Sequence, residues 1–583
     1  MKKIYQKMML LLDGRQKRQM VLIVIMMLVG GLFETLGIAM IFPVMKIVMD
    51  PDAVSESPKY SAVYNLLGCS SITQFAAIIM ISMVLIFLVK NIFLFFINVV
   101  QLRFVYTNQF ATSRRMMINF MQRPYEYYLN ADTSVIQRNI TSDVNNMYGL
   151  ILSCLQLISE MIVFACLVVM LLTVDAKMTL SIASLLVAVL LIIKYIIKPV
   201  MAKAGQDNQD YYSGLFKWIE ESVTGIKEIK IANKENYFIN GYADCGAGYV
   251  NAVQKYNLYN STPRLLIETI SVAGMIGYML IVMMSGQSVK DLVPLFTVLG
   301  AAATRLLPSA NRINNYLTSI AYFEPFFMNV SDNLQQEIND GSVSYKAEDY
   351  KIMKEVEKLP VHKSIELKNI TYRYPNSAAY VLKNADMTIP VGKSIGIVGT
   401  SGAGKTTIVD IMLGLLQIET GEILADGVEI REHYPEWLKN IGYIPQTIFM
   451  LDSTIRKNVA FGVSDDDIDD NKVWAALKEA QLDEYVRSLP EGLDTTIGER
   501  GIRLSGGQRQ RIGIARALFE DPEVLVLDEA TSALDNETEA AIMDSINRLH
   551  GKKTLIIIAH RLQTIEKCDM VYRVNGQKVS MER

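Results

Sequence analysis

Long apolar stretches alternate with polar segments through the first half of the chain. A helix needs about 20 apolar residues to cross a bilayer, and stretches of that length lie near 19–45, 75–100, 147–174, 178–201, 265–286 and 291–310. The long polar segments between them, at 101–146 and 202–260, are also compatible with helix. The pattern therefore predicts six membrane-spanning helices, some of which continue well beyond the bilayer.

The pattern changes from about Ile365. Short β-type runs separated by Gly/Pro turns now alternate with amphipathic helices, which is typical of an α/β domain. We therefore expect a multidomain chain. An all-α transmembrane domain of six helices (1–323) is joined by a linker (324–360) to an α/β domain (361–583).

Composition and charge agree with this division. Hydrophobic residues make up 51% of the chain and charged residues 20%, and the mean hydropathy of +0.22 is too high for an ordinary soluble protein of 583 residues. Residues 1–323 carry 27 basic and 19 acidic side chains, whereas residues 324–583 carry 30 and 41. The basic, apolar half suits contact with membrane lipids, and the acidic half argues against a nucleic-acid partner.

Basic residues ahead of the first span predict the orientation. They are Lys2, Lys3, Lys7, Arg15, Lys17 and Arg18. Only Lys46 and Lys59, among several acids, follow that span, so the N-terminus is expected on the cytoplasmic side. Six spans return the chain to that side, which predicts a multi-pass protein of the cytoplasmic membrane with a cytoplasmic α/β domain. We expect the first apolar stretch to stay as an anchor, and residues 3–12 to form an interfacial amphipathic helix or a disordered basic leader.

The cysteines and histidines give no indication of a metal site or a disulfide framework. The five cysteines and four histidines are scattered without metal-type spacing. No disulfide framework or zinc site is predicted.

The segment KSIGIVGTSGAGKTTIVDIML carries the first chemical motif. An apolar strand runs into G-x-x-x-x-G-K-[ST] and a helix follows, which is the context that a phosphate-binding P-loop requires. Backbone N–H groups of the loop and the helix dipole would surround phosphate oxygens. Lys405 would contact the β- and γ-phosphates, and Thr406 would bind Mg²⁺. The predicted ATP site comprises Gly399, Thr400, Ser401, Gly402, Ala403, Gly404, Lys405, Thr406 and Thr407.

The second motif is VLVLDE, an apolar strand that ends in two acids. Asp528 would hold the Mg²⁺ shell and Glu529 would polarise the attacking water, because phosphoryl transfer depends on positioning and charge neutralisation. The alternative is a pair of acids at a strand end without a catalytic role.

Between these motifs lies LSGGQ, and here the sequence resembles the ATP-binding cassette family. The resemblance assigns nucleotide contacts to the signature residues Ser505, Gly506, Gly507 and Gln508. Tyr374 in YRYPN resembles the adenine-stacking aromatic, although Tyr372 is a rival and an edge-strand role is an alternative.

The remaining family motifs follow in order. Gln446 in IGYIPQ resembles the glutamine that senses Mg²⁺ and contacts the membrane domain, and GERG (498–501) resembles the loop ahead of the signature in exporters. Asp535 in SALD resembles the dimer-contact loop, and His560 in LIIIAHR resembles the switch histidine. In the family the signature serves ATP held by the opposite subunit, so the resemblance implies a dimer. No motif here is degenerate, so a homodimer, which we expect, would have two competent sites, whereas heterodimeric relatives often carry one impaired site.

Six spans ahead of one cassette resemble the exporter type of this family. Segments 123–144 and 220–238 fall where that type has its coupling helices, and segments 34–51 and 296–313 look most like the lipid-linked oligosaccharide flippases. The expected cargo is an amphipathic substrate, in particular a polyprenyl-pyrophosphate-linked oligosaccharide.

Three cations in the spans are compatible with such a cargo, because a cation in hydrocarbon faces a cavity or a partner. They are Lys90, Arg264 and Arg305. As an alternative, these cations pair with Glu34, Glu160 or Glu268, or Arg264 snorkels at an interface.

The outer connection 57–68 is predicted to form a short helix that touches the lipid tail or caps the first spans. A peptide, drug or other lipid exporter remains an alternative function. An ATP-gated channel or regulatory membrane protein is an alternative of a different class.

Overall fold

A computed structural model provides the fold. It describes residues 2–39, 58–69, 71–172, 176–284, 289–340, 357–375, 377–528, 540, 543–544, 546, 548–558 and 565–583. Two compact units are present. The first comprises Met1–Arg123 and Ala131–Tyr345, and the second comprises Pro124–Asn130 and Lys346–Arg583.

Helices build the first unit. In chain order the helices up to Asp340 are α1 Lys2–Leu11, α2 Gly14–Ala39, α3 Pro58–Leu66, α4 Ile72–Met121, α5 Tyr125–Tyr128, α6 Thr133–Arg138, α7 Val144–Leu172, α8 Ala176–Thr224, α9 Ile226–Ala232, α10 Glu235–Met284 and α11 Val289–Asp340. A π-helical turn, Asn139–Asp143, joins α6 to α7. Of these helices, α5 belongs to the second unit.

Each predicted span falls on one of the six long helices, as far as its residues are described. By length and composition, three stretches among the described residues are apolar enough to cross a membrane: Gly14–Glu34, Ile72–Met121 and Thr133–Val169. Helix α11 continues to Asp340, well past the predicted end of the domain at 323.

Helices α8 and α10 interlock through glycines that face large side chains. A Cβ atom at Gly248 would lie 2.4 Å from the Tyr211 ring, and one at Gly214 would lie 2.8 Å from Cys245 Sγ. Because only glycine leaves this space free, the two helices approach closely along this stretch.

A buried polar network ties α6 and the π-helical turn to α8 and α11. Asp143 is fully buried, and its Oδ2 lies 3.3 Å from Arg138 Nε and 3.0 Å from Gln209 Nε2. Asn329 of α11 donates to the same oxygen at 2.5 Å. Since a buried carboxylate is costly unless it is paired, these contacts specify how the helices meet.

Residues 2–11 form a helix, so the disordered leader is wrong for this segment. Ile4, Met8 and Leu11 are buried, and Arg115 Nη1 donates to the Leu11 carbonyl at 3.2 Å. The apolar face of α1 thus packs inside the first unit.

The predicted outer helix is also present as α3. Its Tyr64 ring meets the fully buried Phe75 ring of α4 edge-on, with centroids 5.3 Å apart. Val63 and Leu66 are exposed. The helix therefore covers the start of α4 and leaves other apolar side chains outside.

Two sheets form the second unit. The strands are β1 Ser364–Tyr372, β2 Leu382–Pro390, β3 Ser394–Val398, β4 Thr420–Ala425, β5 Val428–Glu429, β6 Ile441–Ile444, β7 Val524–Asp528, β8 Thr554–Ile558, β9 Met570–Asn575 and β10 Lys578–Met581. One sheet is antiparallel in the order β2-β1-β4-β5, and the other has the order β10-β9-β3-β8-β7-β6. The α-helices of this unit's described residues, after α5, are α12 Lys405–Met412, α13 Tyr434–Leu438, α14 Ile455–Val459, α15 Asp470–Glu479, α16 Asp483–Ser488 and α17 Gly506–Leu518.

The larger sheet positions the site. Its strands from β9 to β6 are parallel, and Ile395 of β3 pairs with Ile556 of β8, which in turn pairs with Val526 of β7. Every residue of β3, β7 and β8 is buried, as expected for a parallel sheet covered on both faces. The carboxyl ends of β3 and β7 therefore lie at the same edge, which is where such sheets bind ligands. The predicted fold class, an all-α transmembrane domain followed by an α/β domain, is confirmed.

Candidate functional site

The loop between β3 and α12 depends on glycine at specific positions. Gly402 and Gly404 have φ of 77° and 100°, which L side chains rarely adopt. A Cβ atom at Gly399 would lie 2.5 Å from the Val574 carbonyl oxygen. The glycines thus allow the loop to turn tightly against the sheet and to present its backbone N–H groups at the start of α12.

Lys405 lies within this loop and is 5% exposed. Its Nζ donates to the carbonyl oxygens of Gly399 at 3.1 Å and Thr400 at 3.2 Å. The ammonium group is therefore held inside the loop, where an anionic phosphate would be cradled.

Thr406 and Asp528 meet at the sheet edge. The Thr406 hydroxyl lies 3.5 Å from Asp528 Oδ1, although the two residues are 122 positions apart. A hydroxyl and one carboxylate are hard oxygen ligands, which suit Mg²⁺ when phosphates and waters complete the octahedron. These residues therefore fit a Mg²⁺ site. Mg²⁺ bound there would neutralise phosphate charge.

Tyr374 lies beside the loop. Its hydroxyl is 2.9 Å from the Thr407 hydroxyl, and its ring meets the Tyr372 ring edge-on. The rival Tyr372 is 1% exposed, whereas Tyr374 is half-buried. Tyr374 therefore has the ring surface that an adenine could contact.

The signature motif begins α17 with a capping box. Ser505 Oγ accepts from the Gln508 N–H at 3.2 Å, and Gln508 Oε1 accepts from the Ser505 N–H at 2.8 Å. The space around Gly506 is open. Such a helix N-terminus can receive an anion.

Segment 124–130 packs within the second unit, which the sequence pattern did not predict. Glu126 Oε1 accepts from the Gln417 N–H at 2.8 Å and from the Tyr372 hydroxyl at 3.4 Å. These contacts join residues 291 and 246 positions apart. The short helices α5 and α9 both lie in segments expected to hold coupling helices.

Two further polar residues near Asp528 also escaped the sequence analysis. Tyr443 donates towards Asp528 Oδ2 at 3.5 Å. Burial, followed by the charge of Asp528, raises the pKa of Asp410 to about 6. Asp410 lies one helical turn beyond Thr406, and Tyr443 lies on the strand adjacent to the one that ends in Asp528. In the sequence, these two positions were the signal that could have placed both residues near Asp528.

Three predicted catalytic and contact residues lie outside the described residues: Glu529, Asp535 and His560. Gln446 follows β6 and has an interaction partner.

The three candidate substrate cations lie on three different helices, α4, α10 and α11. Lys90 is 4% exposed and its Nζ lies 4.6 Å from the Phe87 ring centroid, whereas Arg264 is exposed. The side chain of Arg305 lies outside the description. Lys90 is thus packed within its own chain, which agrees with a structural role.

Glu160 of α7, one of the possible partners for these cations, has other contacts. Its Oε1 lies 2.6 Å from Arg312 Nε, and its Oε2 accepts from the Ser309 hydroxyl at 2.7 Å. Both carboxylate oxygens therefore contact α11.

Comparison with known proteins identifies both halves of the chain. The family model described as "ABC transporter transmembrane region" matches residues 20–303, and the one described as "ABC transporter" matches residues 382–532. The chain belongs to the ABC transporter family. As an ABC transporter half, it carries one membrane region followed by one cassette.

Individual relatives of this ABC transporter match over part of the chain. The ATP-dependent lipid A-core flippase of Haemophilus influenzae (strain 86-028NP) is 39% identical over 248 residues, which cover 42% of this chain and 40% of that protein. The mitochondrial potassium channel ATP-binding subunit of Xenopus tropicalis is 41% identical over 227 residues, which cover 38% of this chain and 33% of that protein. The chain thus spans less than half the length of these relatives.

A solved structure of a bacterial Atm1-family ABC exporter with ATP bound matches almost the whole chain. The TM-score is 0.72 at 22% identity, with 97% of this chain and 95% of that chain covered. This similarity shows the fold.

Proposed function

We propose that this chain is an ATP-driven exporter in which ATP binding and hydrolysis move an amphipathic substrate across the cytoplasmic membrane. The observation that carries the proposal is the Thr406–Asp528 contact at the end of a complete P-loop, in a chain whose other unit is built from long apolar helices. This pairing supports ATP and Mg²⁺ as cofactors and transport-coupled ATPase activity as the reaction.

The proposed assembly is a homodimer. Ser505 and the amides after it form a helix N-terminus with its own capping box, separate in sequence from the P-loop. One chain carries one of each element, so a second copy would supply the signature to the ATP held by the first. Asp535 would contact that second copy.

The proposed hydrolytic roles rest on the cassette motifs. Glu529 would polarise the attacking water, His560 would stabilise the transferring phosphoryl group, and Gln446 would report the presence of Mg²⁺. Glu529→Gln should retain binding of Mg·ATP but hydrolyse it about 100-fold or more slowly, since it removes a general base. The control is Glu520→Gln, an exposed acid two residues after the end of α17. Near-normal turnover by the purified Glu529→Gln protein would contradict the assignment.

The substrate class we propose is a lipid-linked oligosaccharide. The sequence segments 34–51 and 296–313 support it, and relatives named lipid A-core flippases support a lipid cargo. Arg305 is the cation best suited to a pyrophosphate, because the guanidinium fork can hold two phosphate oxygens at once. Lys90 contributes less, since it is buried in its own chain. Arg264 contributes less because its alternative role is to snorkel at an interface.

A flipping assay in proteoliposomes tests the substrate proposal. Arg305→Ala should lose flipping of a lipid-linked oligosaccharide and keep basal hydrolysis, and Arg305→Lys should recover only part of the flipping. The matched control is Arg312→Ala on the same helix, which removes the ion pair with Glu160 and should instead lower thermal stability. Unimpaired flipping in Arg305→Ala would remove the pyrophosphate argument.

The same proteoliposomes also distinguish a lipid-linked oligosaccharide from other cargoes, and a transporter from a protein of a different class. A peptide, drug or other lipid exporter would respond to its own substrate in a panel of candidates. An ATP-gated channel or regulator is the alternative of a different class, and one relative of this chain is named as a potassium channel subunit. Such a protein would pass its ligand without the steady ATPase activity that Glu529→Gln should abolish.

A further inference from the structure

The two oxygens of the Asp528 carboxylate have different neighbours. Oδ1 lies 3.5 Å from the Thr406 hydroxyl, and Oδ2 lies 3.5 Å from the Tyr443 hydroxyl. Thr406 is assigned to the metal together with Asp528, and Gln446 is expected to sense it. The carboxylate therefore presents one oxygen to the metal-binding side and the other to a tyrosine of the adjacent strand.

Tyr443 is placed for this contact by the sheet. Strand β6 pairs in parallel with β7, and Tyr443 is in register with Val526, two residues before Asp528. A tyrosine hydroxyl is protonated at neutral pH and can donate to the carboxylate.

We infer that Tyr443 is a positioning residue of the metal site, whose hydroxyl orients Asp528 so that Oδ1 faces the metal. The inference rests on the proposed function, because it takes Asp528 as a Mg²⁺ ligand.

The physical reason is the geometry that Mg²⁺ demands. Mg²⁺ requires a nearly ideal octahedron, and a carboxylate free to rotate offers its oxygen in the right direction only part of the time. A hydrogen bond to the other oxygen restricts that rotation. Loss of such outer partners typically costs about 10–100-fold in metal affinity.

Metal binding by the full-length protein in lipid nanodiscs tests the inference. A fluorescent ATP analogue is titrated in EDTA, and Mg²⁺, or Mn²⁺ followed by its spin-resonance signal, is then titrated at saturating analogue. Tyr443→Phe should raise the half-saturating metal concentration roughly 10-fold and leave the affinity for the analogue in EDTA within about twofold of wild type. The control is Tyr485→Phe, a half-buried tyrosine of α16.

Asp528→Asn distinguishes a wrong metal site from a wrong positioning role. If it does not weaken metal binding, the assignment of the metal site itself is wrong. If Asp528→Asn weakens metal binding but Tyr443→Phe binds metal like wild type, the positioning role is wrong and the site stands. An equal loss of analogue binding in EDTA by Tyr443→Phe would also overturn the inference. If Tyr443→Phe does not fold, Tyr443→Met, which also lacks the hydroxyl, decides.

Discussion

The indole ring of Trp218 on α8 lies so close to Gly241 on α10 that a Cβ atom at position 241 would come within 2.4 Å of Cζ2. Seven residues away on each helix, Tyr211 has the same relationship to Gly248. The repeat places large rings of one helix over glycines of the other. The two helices are therefore expected to move as one body.

Gly241→Ala should lower the free energy of unfolding by about 1–3 kcal/mol, because the added methyl group displaces the Trp218 ring from a packed site. The matched control is Gly277→Ala on the same helix, where a Cβ atom meets nothing within 4 Å. That change should be neutral or stabilise the helix by roughly 0.5–1 kcal/mol. Thermal unfolding followed by tryptophan fluorescence measures both, and equal midpoints for the two variants would contradict the packing argument.

Tyr374 should contribute to ATP affinity mainly through its ring. Tyr374→Ala should weaken binding by about 3- to 10-fold, which corresponds to an aromatic contact of roughly 0.5–1.5 kcal/mol. Tyr374→Phe keeps the ring and loses only the hydrogen bond to Thr407, so its affinity should stay near wild type. Titration with a fluorescent ATP analogue compares them with Tyr380→Phe, a tyrosine near Arg373. A full loss of affinity in Tyr374→Phe would show that the hydroxyl matters more than the ring.

Lys405→Ala and Ser505→Ala subunits, each inactive alone, should regain activity when they are mixed. One of the two composite sites in the mixed dimer then contains only wild-type motifs. Cross-linked mixed dimers and their ATPase rate provide the measurement. If they stay inactive, trapping of nucleotide at the intact site distinguishes a wrong arrangement from a requirement for both sites.

Ser505→Ala also removes the N-cap of α17, which typically costs about 1 kcal/mol. Thr454→Ala removes the N-cap of α14 and serves as the stability control. It should leave complementation unaffected.

Cys568 should resist alkylation in the folded protein. It is 6% exposed, and burial raises the pKa of its thiol to about 11. At pH 7.5 the thiolate fraction alone would make its reaction with maleimide on the order of 100-fold slower or more than that of an ordinary cysteine. A variant that keeps only Cys568 is compared with one that keeps only Cys245, which is partly exposed. Equal labelling rates before denaturation would mean that Cys568 is accessible.

Much of the fold could be predicted from the sequence because its signals are local. Six apolar stretches of bilayer length predicted the six long helices, and each predicted span falls on one of them over the residues that the structure describes. The P-loop was predicted because 399–406 lie within one strand–loop–helix segment. In the structure, Gly402 and Gly404 have the positive φ that such a turn needs. A short stretch of chain is enough to specify span length, glycine spacing and helix capping.

Contacts between distant residues depended on the tertiary structure. The sequence proposed Glu160 as a partner for the candidate substrate cations, whereas the structure pairs it with Arg312 and Ser309. An acidic residue in a sequence does not predict which basic residue of another helix will pair with it. That choice depends on how α7 and α11 pack.

The neighbours of the metal-binding carboxylate were decided in the same way. The sequence by itself placed Asp528 at the end of a buried strand and Thr406 at the start of a helix. Only the strand order that puts β6 beside β7 brings Tyr443 to Asp528, and only the packing of segment 124–130 in the second unit brings Glu126 to Tyr372. Strand order and docking depend on the packing energy of the whole domain, and for that reason no local pattern could predict these contacts.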